Sequence, residues 1–353
     1  MTRLGAASFD PRAQRIVFLG DSITDGFTYP LLLRQAFADA GLPAPAVINA
    51  GIASDTAEGV LARLDRDVFP HRPTLVSLSI GVNDVLRKVT PEQYEERVAA
   101  IADRMAAAKI PMLVMTTTVL GPKNAEAERK LADFNAILHR IAERHGWRVA
   151  EVNRLMSEAR AEGVAVNEPD EVHITFAGYH VMVRAILDAL GYPKVPVPGR
   201  AKLAVEPGVI PEWKIRAAPE KSPALDAKAV AALKPDGSWK TCTLPEKDPL
   251  PHWWADQERQ RGFAMSLDKI IGPAKSYQGI ALVDSDKARR VHFLPGASLQ
   301  AIWLNGERIW KVGDAWLGWH AGRERVPAEL KAGRNTLVIE TGSQFFLSAL
   351  ELQ

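Results

Sequence analysis

Over residues 15–192, apolar runs of strand length alternate with longer stretches of helical period. The runs are Ile16–Leu19, Ala46–Ile52, Leu75–Ile80, Pro111–Val119 and Arg148–Val152. Strands separated by helix-length stretches cannot join as hairpins; they pair in parallel through βαβ crossovers. Few polar residues interrupt the runs, as expected of strands buried on both faces. The expectation is a three-layer α/β/α domain with about five parallel strands. Its clearest helix spans Thr90 to Lys109. Thr90 is its N-cap, Pro91 its first helical position, and Gln93 lies three past the cap. Val98, Ile101, Ala102 and Met105 then share one face. Further helices are expected from Ala125 to Arg144, with Leu131, Phe134, Leu138 and Ile141 inward, and from Phe176 to Gly191.

In such sheets ligands bind beyond the carboxyl ends of the strands. Ser22 lies there after the first run, Gly51 after the second and Asn83 after the third. Turn chemistry alone accounts for Gly20-Asp21-Ser22, since Asp and Ser cap helices. A serine on a tight strand-to-helix turn also projects its hydroxyl outward. To act as a nucleophile it needs a base, an orienter for the base, and donors for the oxyanion. The domain offers five histidines. His139 and His145 lie in or just after a polar-faced helix, His71 falls at the wrong edge of the sheet, and His180 sits inside the last helix. His173 sits in a loop-like stretch, PDEVHIT, opening that helix. Asp170, three residues upstream, can reach its Nδ1–H within one turn, which would fix the tautomer. Glu171 is nearer in sequence and remains the alternative orienter.

GDSIT (20–24), NAG (49–51), GVND (81–84) and DEVH (170–173), in that order and each beyond an expected strand, resemble the sequence blocks of the SGNH hydrolases, the GDSL-type esterases and lipases. The resemblance covers roughly residues 15–192. It implies a flavodoxin-like sheet and ester hydrolysis through an acyl-enzyme. It makes Ser22 the nucleophile and the donor of one oxyanion N–H, Gly51 the donor of a second, and Asn83 the donor of a side-chain amide N–H. His173 becomes base and then acid, oriented by Asp170, and Asp21 is a candidate substrate contact. One departure stands in the second block: Ser54 occupies a position where the family usually has glycine. The chain lacks the G-x-S-x-G elbow of the larger α/β-hydrolases, and carries no H-E-x-x-H, G-x-G-x-x-G or Walker loop. No cofactor and no metal are inferred.

From Tyr192 to Pro251 prolines recur, which argues for an extended linker and strand edges. Strand-like runs follow at Ser238–Leu244, Phe263–Leu267, Gln278–Val283, Arg290–Leu294, Leu299–Leu304, Arg308–Lys311, Thr336–Glu340 and Phe345–Leu352. Asn305-Gly306 signals a type I′ hairpin. The expected organisation is a catalytic domain over 1–192, a Pro-rich linker over 193–212, and an all-β sandwich or jelly-roll domain over 213–353. Eight of the nine tryptophans lie beyond residue 200. Core filling suits most of them. The pairs Trp253-Trp254 and Trp316/Trp319, in loop-like contexts, are candidate substrate contacts. The pattern VHFLPG…IWLNGERIW…LKAGRNTLVIETG resembles galactose-binding-like β-sandwich modules of bacterial glycan-active enzymes, which implies carbohydrate association.

With 44 basic and 42 acidic residues, the net charge of +2 gives no electrostatic case for a nucleic-acid or anionic-membrane partner. No apolar stretch approaches the roughly 20 residues that span a bilayer. The single cysteine, Cys242, excludes an intrachain disulfide and reads as a spectator. The first residues hold no apolar h-region, so the chain as written reads as cytoplasmic; an export signal trimmed before residue 1 would make it secreted or periplasmic. The expected substrate is a small acyl ester, with O-acetylated carbohydrate leading. The rivals are a general short-chain carboxylesterase, arylesterase or lipase with a structural β domain, and a noncatalytic glycan-binding protein. Oligomeric state is not legible.

Overall fold

The computed structural model describes residues 9–200, 208–219, 225–244, 265–313 and 324–351. They fall into two compact units that divide just past residue 200.

The first unit is built on five parallel strands: β1 (Arg15–Gly20), β2 (Ala46–Gly51), β3 (Leu75–Ser79), β4 (Met112–Met115) and β5 (Arg148–Ala150). Their order is β2-β1-β3-β4-β5. Among the described residues the helices of this unit are α1 (Ser22–Asp25), α2 (Thr28–Asp39), α3 (Ala57–Ala62), α4 (Leu64–Asp67), α5 (Val82–Leu86), α6 (Pro91–Ala107), α7 (Ala125–His145), α8 (Val152–Ala161) and α9 (Phe176–Leu190). Alternate residues of β1 point to opposite faces. Ile16 and Phe18 enter a core with residues of α2, α8 and α9; Val17 and Leu19 enter a second with residues of α3 to α7. Burial on both faces explains why the strands read as unbroken apolar runs. Because β1 is paired on both sides, the chain leaves it one way to β2 and returns across it to β3. The crevice at that reversal, beyond the carboxyl ends of β1 and β3, is where such sheets hold ligands.

The helix signals act as expected. Thr90 Oγ1 accepts from Gln93 N–H at 3.3 Å and Gln93 Oε1 accepts from Thr90 N–H at 3.2 Å, closing a capping box at the start of α6. The α7 helix ends at Gly146, whose φ of 67° suits glycine. Past α9, residues 192–197 are fastened to the first unit: Arg184 donates to the carbonyls of Tyr192 and Val195, and Val195 is buried.

The second unit is an antiparallel sheet of eight strands among the described residues. They are β6 (Glu212–Ala217), β7 (Lys240–Thr243), β8 (Met265–Ser266), β9 (Tyr277–Ser285), β10 (Arg289–Leu304), β11 (Glu307–Lys311), β12 (Val326–Leu330) and β13 (Gly333–Glu351). The path runs β11-β10-β13-β9-β6-β7, with β12 beside β10 and β8 beside β13. Two differences from the sequence expectation share one cause. Arg290–Leu294 and Leu299–Leu304 are halves of β10, and Thr336–Glu340 and the run from Phe345 to Glu351 belong to β13; Leu352, the last residue expected in that run, lies outside the described residues. The breakers between the halves, Pro295-Gly296 and Gly342-Ser343, do not end the strands. Register shifts between Ala297 and Ala301 absorb them as bulges. Both halves of each strand then feed one core, Phe293 with Ile302 and Ile339 with Phe345. The Asn305-Gly306 hairpin joins β10 to β11 with φ of 52° and 90°, the positive pair a type I′ turn needs.

Among the described residues no helix is long and apolar enough to cross a membrane.

Candidate active site

β1 delivers the chain to Gly20, and α1 starts two residues later. Asp21 is its N-cap, with Oδ1 accepting the Ile23 N–H at 3.0 Å. The carboxyl of Asp21 is therefore folded under the turn. Burial is the main cause of its raised pKa, about 7, opposed by the Ile23 hydrogen bond and reinforced by Asp55 and Asp84. Ser22 follows as the first helical residue, so its N–H has no carbonyl within the helix to bond.

The loop ahead of α9 brings in the imidazole. Asn167 pairs with Ile174 across this loop, Glu168 N–H bonds His173 O at 2.8 Å, and Asn167 Nδ2 bonds Val119 O at 2.8 Å. His173 Nε2 then lies 2.8 Å from Ser22 Oγ, across 151 residues of chain. His173 Nδ1 lies 2.7 Å from Asp170 Oδ2. Asp170 Oδ1 accepts the N–H groups of Val172 and His173 at 3.0 and 2.9 Å, a local turn that fixes the carboxylate. Partial burial works to raise the Asp170 pKa. The two backbone hydrogen bonds and the imidazole outweigh it and hold the carboxyl below its ordinary range. An ionised carboxylate only accepts, so Nδ1 carries the proton and Nε2 is left to accept from the serine hydroxyl.

Glu171, the alternative orienter, faces elsewhere. It sits at φ 62°, and its carboxylate accepts from Lys123 N–H on the turn after β4. The other histidines also lie elsewhere. His139 is half exposed beside Glu151, His145 stacks on Trp147, and His180 Nε2 bonds Val197 O at 3.1 Å. His71 stands in the turn that precedes β3.

Gly51 and Asn83 reach the same rim. A Cβ on Gly51 would lie 2.1 Å from Asp25 N, so the backbone of α1 itself demands glycine. Its N–H donates to Asn49 Oδ1 at 2.9 Å, while Asn49 Nδ2 donates to Asp25 O at 3.1 Å. Asn83 Nδ2 gives one N–H to Asp55 O at 3.0 Å and keeps a second. Its neighbour Asp84 is fully buried and accepts Ala57 N–H on both oxygens at 3.1 Å; burial raises its pKa to about 6. Ser54, standing where glycine was expected, takes the glycine conformation at φ 66°, with Arg87 Nη2 on its carbonyl at 2.6 Å.

Asn49 and Arg63 are polar residues of this rim that the sequence reading did not single out. Asn49 sat inside a quoted block but had no assigned contact. Arg63 is buried beneath the loops, and its one sequence clue is Asp67 four residues on. Trp253, Trp254, Trp316 and Trp319 lie outside the described residues. Trp213, Trp239 and Trp303 are buried in the second unit. Among the described residues no cluster of three or more His, Cys, Asp or Glu could hold a metal ion.

Residues 18–181 match the GDSL-like Lipase/Acylhydrolase family. An acetylxylan esterase from Geobacillus stearothermophilus is 26% identical over 220 residues, which cover 51% of this chain and 94% of that protein. Esterase TesA of Pseudomonas aeruginosa is 34% identical over 124 residues, 33% of this chain and 61% of that protein. Among solved structures, an alpha/beta hydrolase enzyme from the metagenome of Lake Arreo, Spain, aligns with a TM-score of 0.48 and 26% identity, over 52% of this chain and 98% of its own.

Proposed function

We propose, from the premise that the N-terminal half of this chain is a GDSL-like lipase/acylhydrolase domain and the chain a carboxylic ester hydrolase, that Ser22, His173 and Asp170 carry the reaction as a triad. The observation that supports this is the relay of contacts, 2.8 Å from Ser22 Oγ to His173 Nε2 and 2.7 Å from His173 Nδ1 to Asp170 Oδ2. Ser22 Oγ attacks the ester carbonyl carbon as its proton passes to Nε2. The tetrahedral intermediate collapses, and the imidazolium gives that proton to the departing alcohol oxygen. Water then attacks the acyl-serine with His173 again as base, releasing the acid and regenerating the hydroxyl. Ser22 N–H and the second Asn83 amide N–H are the donors for the oxyanion. Gly51 N–H is the third, shared with Asn49 Oδ1. Each such donor is worth on the order of 3 kcal/mol in the transition state.

The leading substrate is an O-acetyl group on carbohydrate. Its support is that the acetylxylan esterase aligns along 94% of its length. The second reading, a general short-chain or aryl esterase, has the support of the match to TesA. The test has two arms. Wild type should hydrolyse p-nitrophenyl acetate, and Ser22→Ala should lose at least about 10⁴-fold in kcat. A panel of acetylated xylo-oligosaccharides and p-nitrophenyl esters of rising chain length then separates the readings. Higher kcat/KM on the acetylated sugars is expected; a kcat/KM that climbs with acyl length would sink the carbohydrate reading.

A further inference from the structure

We infer that Arg63, which touches none of the reacting groups, is the positioning residue that holds the oxyanion donors in register. This inference rests on the roles proposed above for Ser22, Gly51 and Asn83. Arg63 is 7% exposed. Its guanidinium donates to Gly20 O at 3.0 Å, Ala50 O at 2.7 Å, Asp55 Oδ2 at 2.7 Å and Asp67 Oδ2 at 3.0 Å. Gly20 and Ala50 lie on the segments that present the Ser22 and Gly51 N–H groups, and Asp55, on the loop after β2, is hydrogen-bonded to Asn83.

Each contact acts through one short covalent or hydrogen-bonded step. Ala50 O belongs to the same peptide plane as Gly51 N–H. In a trans peptide the two point in opposite directions, so gripping the carbonyl aims the N–H away from the arginine. A charge-assisted bond to that carbonyl also polarises the peptide and strengthens its N–H as a donor. Gly20 O stands one peptide before the Asp21–Ser22 unit that supplies the Ser22 N–H. Asp55 takes the Nε–H through its side chain and, through its backbone carbonyl, holds Asn83 Nδ2 at 3.0 Å. Only a planar fork with several fixed donors can meet these acceptors at once; an ammonium group is a single point of charge. Asp55 and Asp67 neutralise the buried cation, and Asp67, on α4 and itself paired with Arg66, anchors it.

A buried ion network of this kind could serve stability alone, so the test reads catalysis separately. The full-length Arg63→Lys and Asp67→Asn variants are assayed with p-nitrophenyl acetate, alongside wild type and Ser22→Ala. Near-UV circular dichroism and thermal melts report folding. Arg63→Lys is expected to stay folded and lose about 10²-fold in kcat, with KM within about threefold. The acid limb of its pH–rate profile should not move, because the Ser22–His173–Asp170 contacts do not pass through Arg63. Its inactivation by an aryl phosphonate should slow in proportion. Asp67→Asn, which loosens the guanidinium, should lose about fivefold in kcat in the same pattern. Arg63→Lys that is folded and within about threefold of wild type in kcat would overturn the inference. So would a loss that falls on KM or follows the unfolded fraction. If Arg63→Lys does not fold, Asp67→Asn decides, and wild-type kcat in that variant overturns it. Absence of any Ser22-dependent activity in the wild type would remove the functional reading, and this inference with it.

Discussion

Two carboxylates stand side by side at 170 and 171, and the structure gives them different work. Asp170 is locked by two backbone N–H groups and faces the imidazole, whereas Glu171 braces the turn after β4. Asp170→Asn should therefore lower kcat by about 10³–10⁴-fold, because an amide can favour the wrong imidazole tautomer. Glu171→Gln should change kcat by no more than about threefold, and steady-state kinetics on the pair separates the two. Asp21 makes a different prediction. Its folded-state pKa, about 7, stands above the ordinary 3.8, so the folded protein holds a proton that the unfolded chain releases. The stability this carries is complete below about pH 4 and drains away as pH rises through about 7. Asp21→Asn keeps the acceptor for Ile23 N–H without the buried charge. It should raise Tm by about 2–5 °C at pH 8 and leave it nearly unchanged at pH 4, read from melts across that range. That residues 22, 170 and 173 come together was legible because each sits next to a sequence signal: a strand end, a turn, a three-residue spacing. Arg63 was not. Two of its four partners are backbone carbonyls, which every residue possesses and no motif records.

Elements with strong local signals behaved as read. The α6 helix begins at its capping box, and the Asn305-Gly306 turn makes its hairpin. Signals that mark breaks were misleading in the second unit: Pro295 and Gly296 stay paired with Leu347 and Phe346 of β13, and the register shifts just past them, between Ala297 and Ala301, as bulges. Pairing partners that lie tens of residues away decide this, and local composition does not carry that information. The loop after β2 shows the converse. Ser54 holds a left-handed backbone that costs an L-residue about 1–2 kcal/mol. Ser54→Gly should recover part of that, less the entropy glycine adds to the unfolded chain. A net gain of about 0.5 kcal/mol is expected, measured as a rise in denaturation midpoint with kcat within about twofold.

At the scale of the molecule, Ser22, Gly51, Asn83, Asp170, His173 and Arg63 all belong to the first unit, which has apolar cores on both faces of its sheet. A fragment ending at residue 202 should fold cooperatively and keep kcat on p-nitrophenyl acetate within about threefold of the full chain. A fragment that melts without a transition would refute that. The fold class was legible at this scale because alternation of strand and helix is a property of long stretches and survives local ambiguity. The second unit's tryptophan pairs at 253–254 and 316/319 fall outside the described residues, so their part in recognition rests with the substrate panel. The close fit of Gly51 against α1 also bears on how a saturation screen of the whole chain would read. Every replacement there collides with Asp25 before any ester arrives. Dead clones at codon 51 would thus report a steric veto. Credit for transition-state stabilisation would have to come from a backbone edit, such as an ester or N-methyl linkage in place of the amide, which removes the hydrogen and adds no side chain.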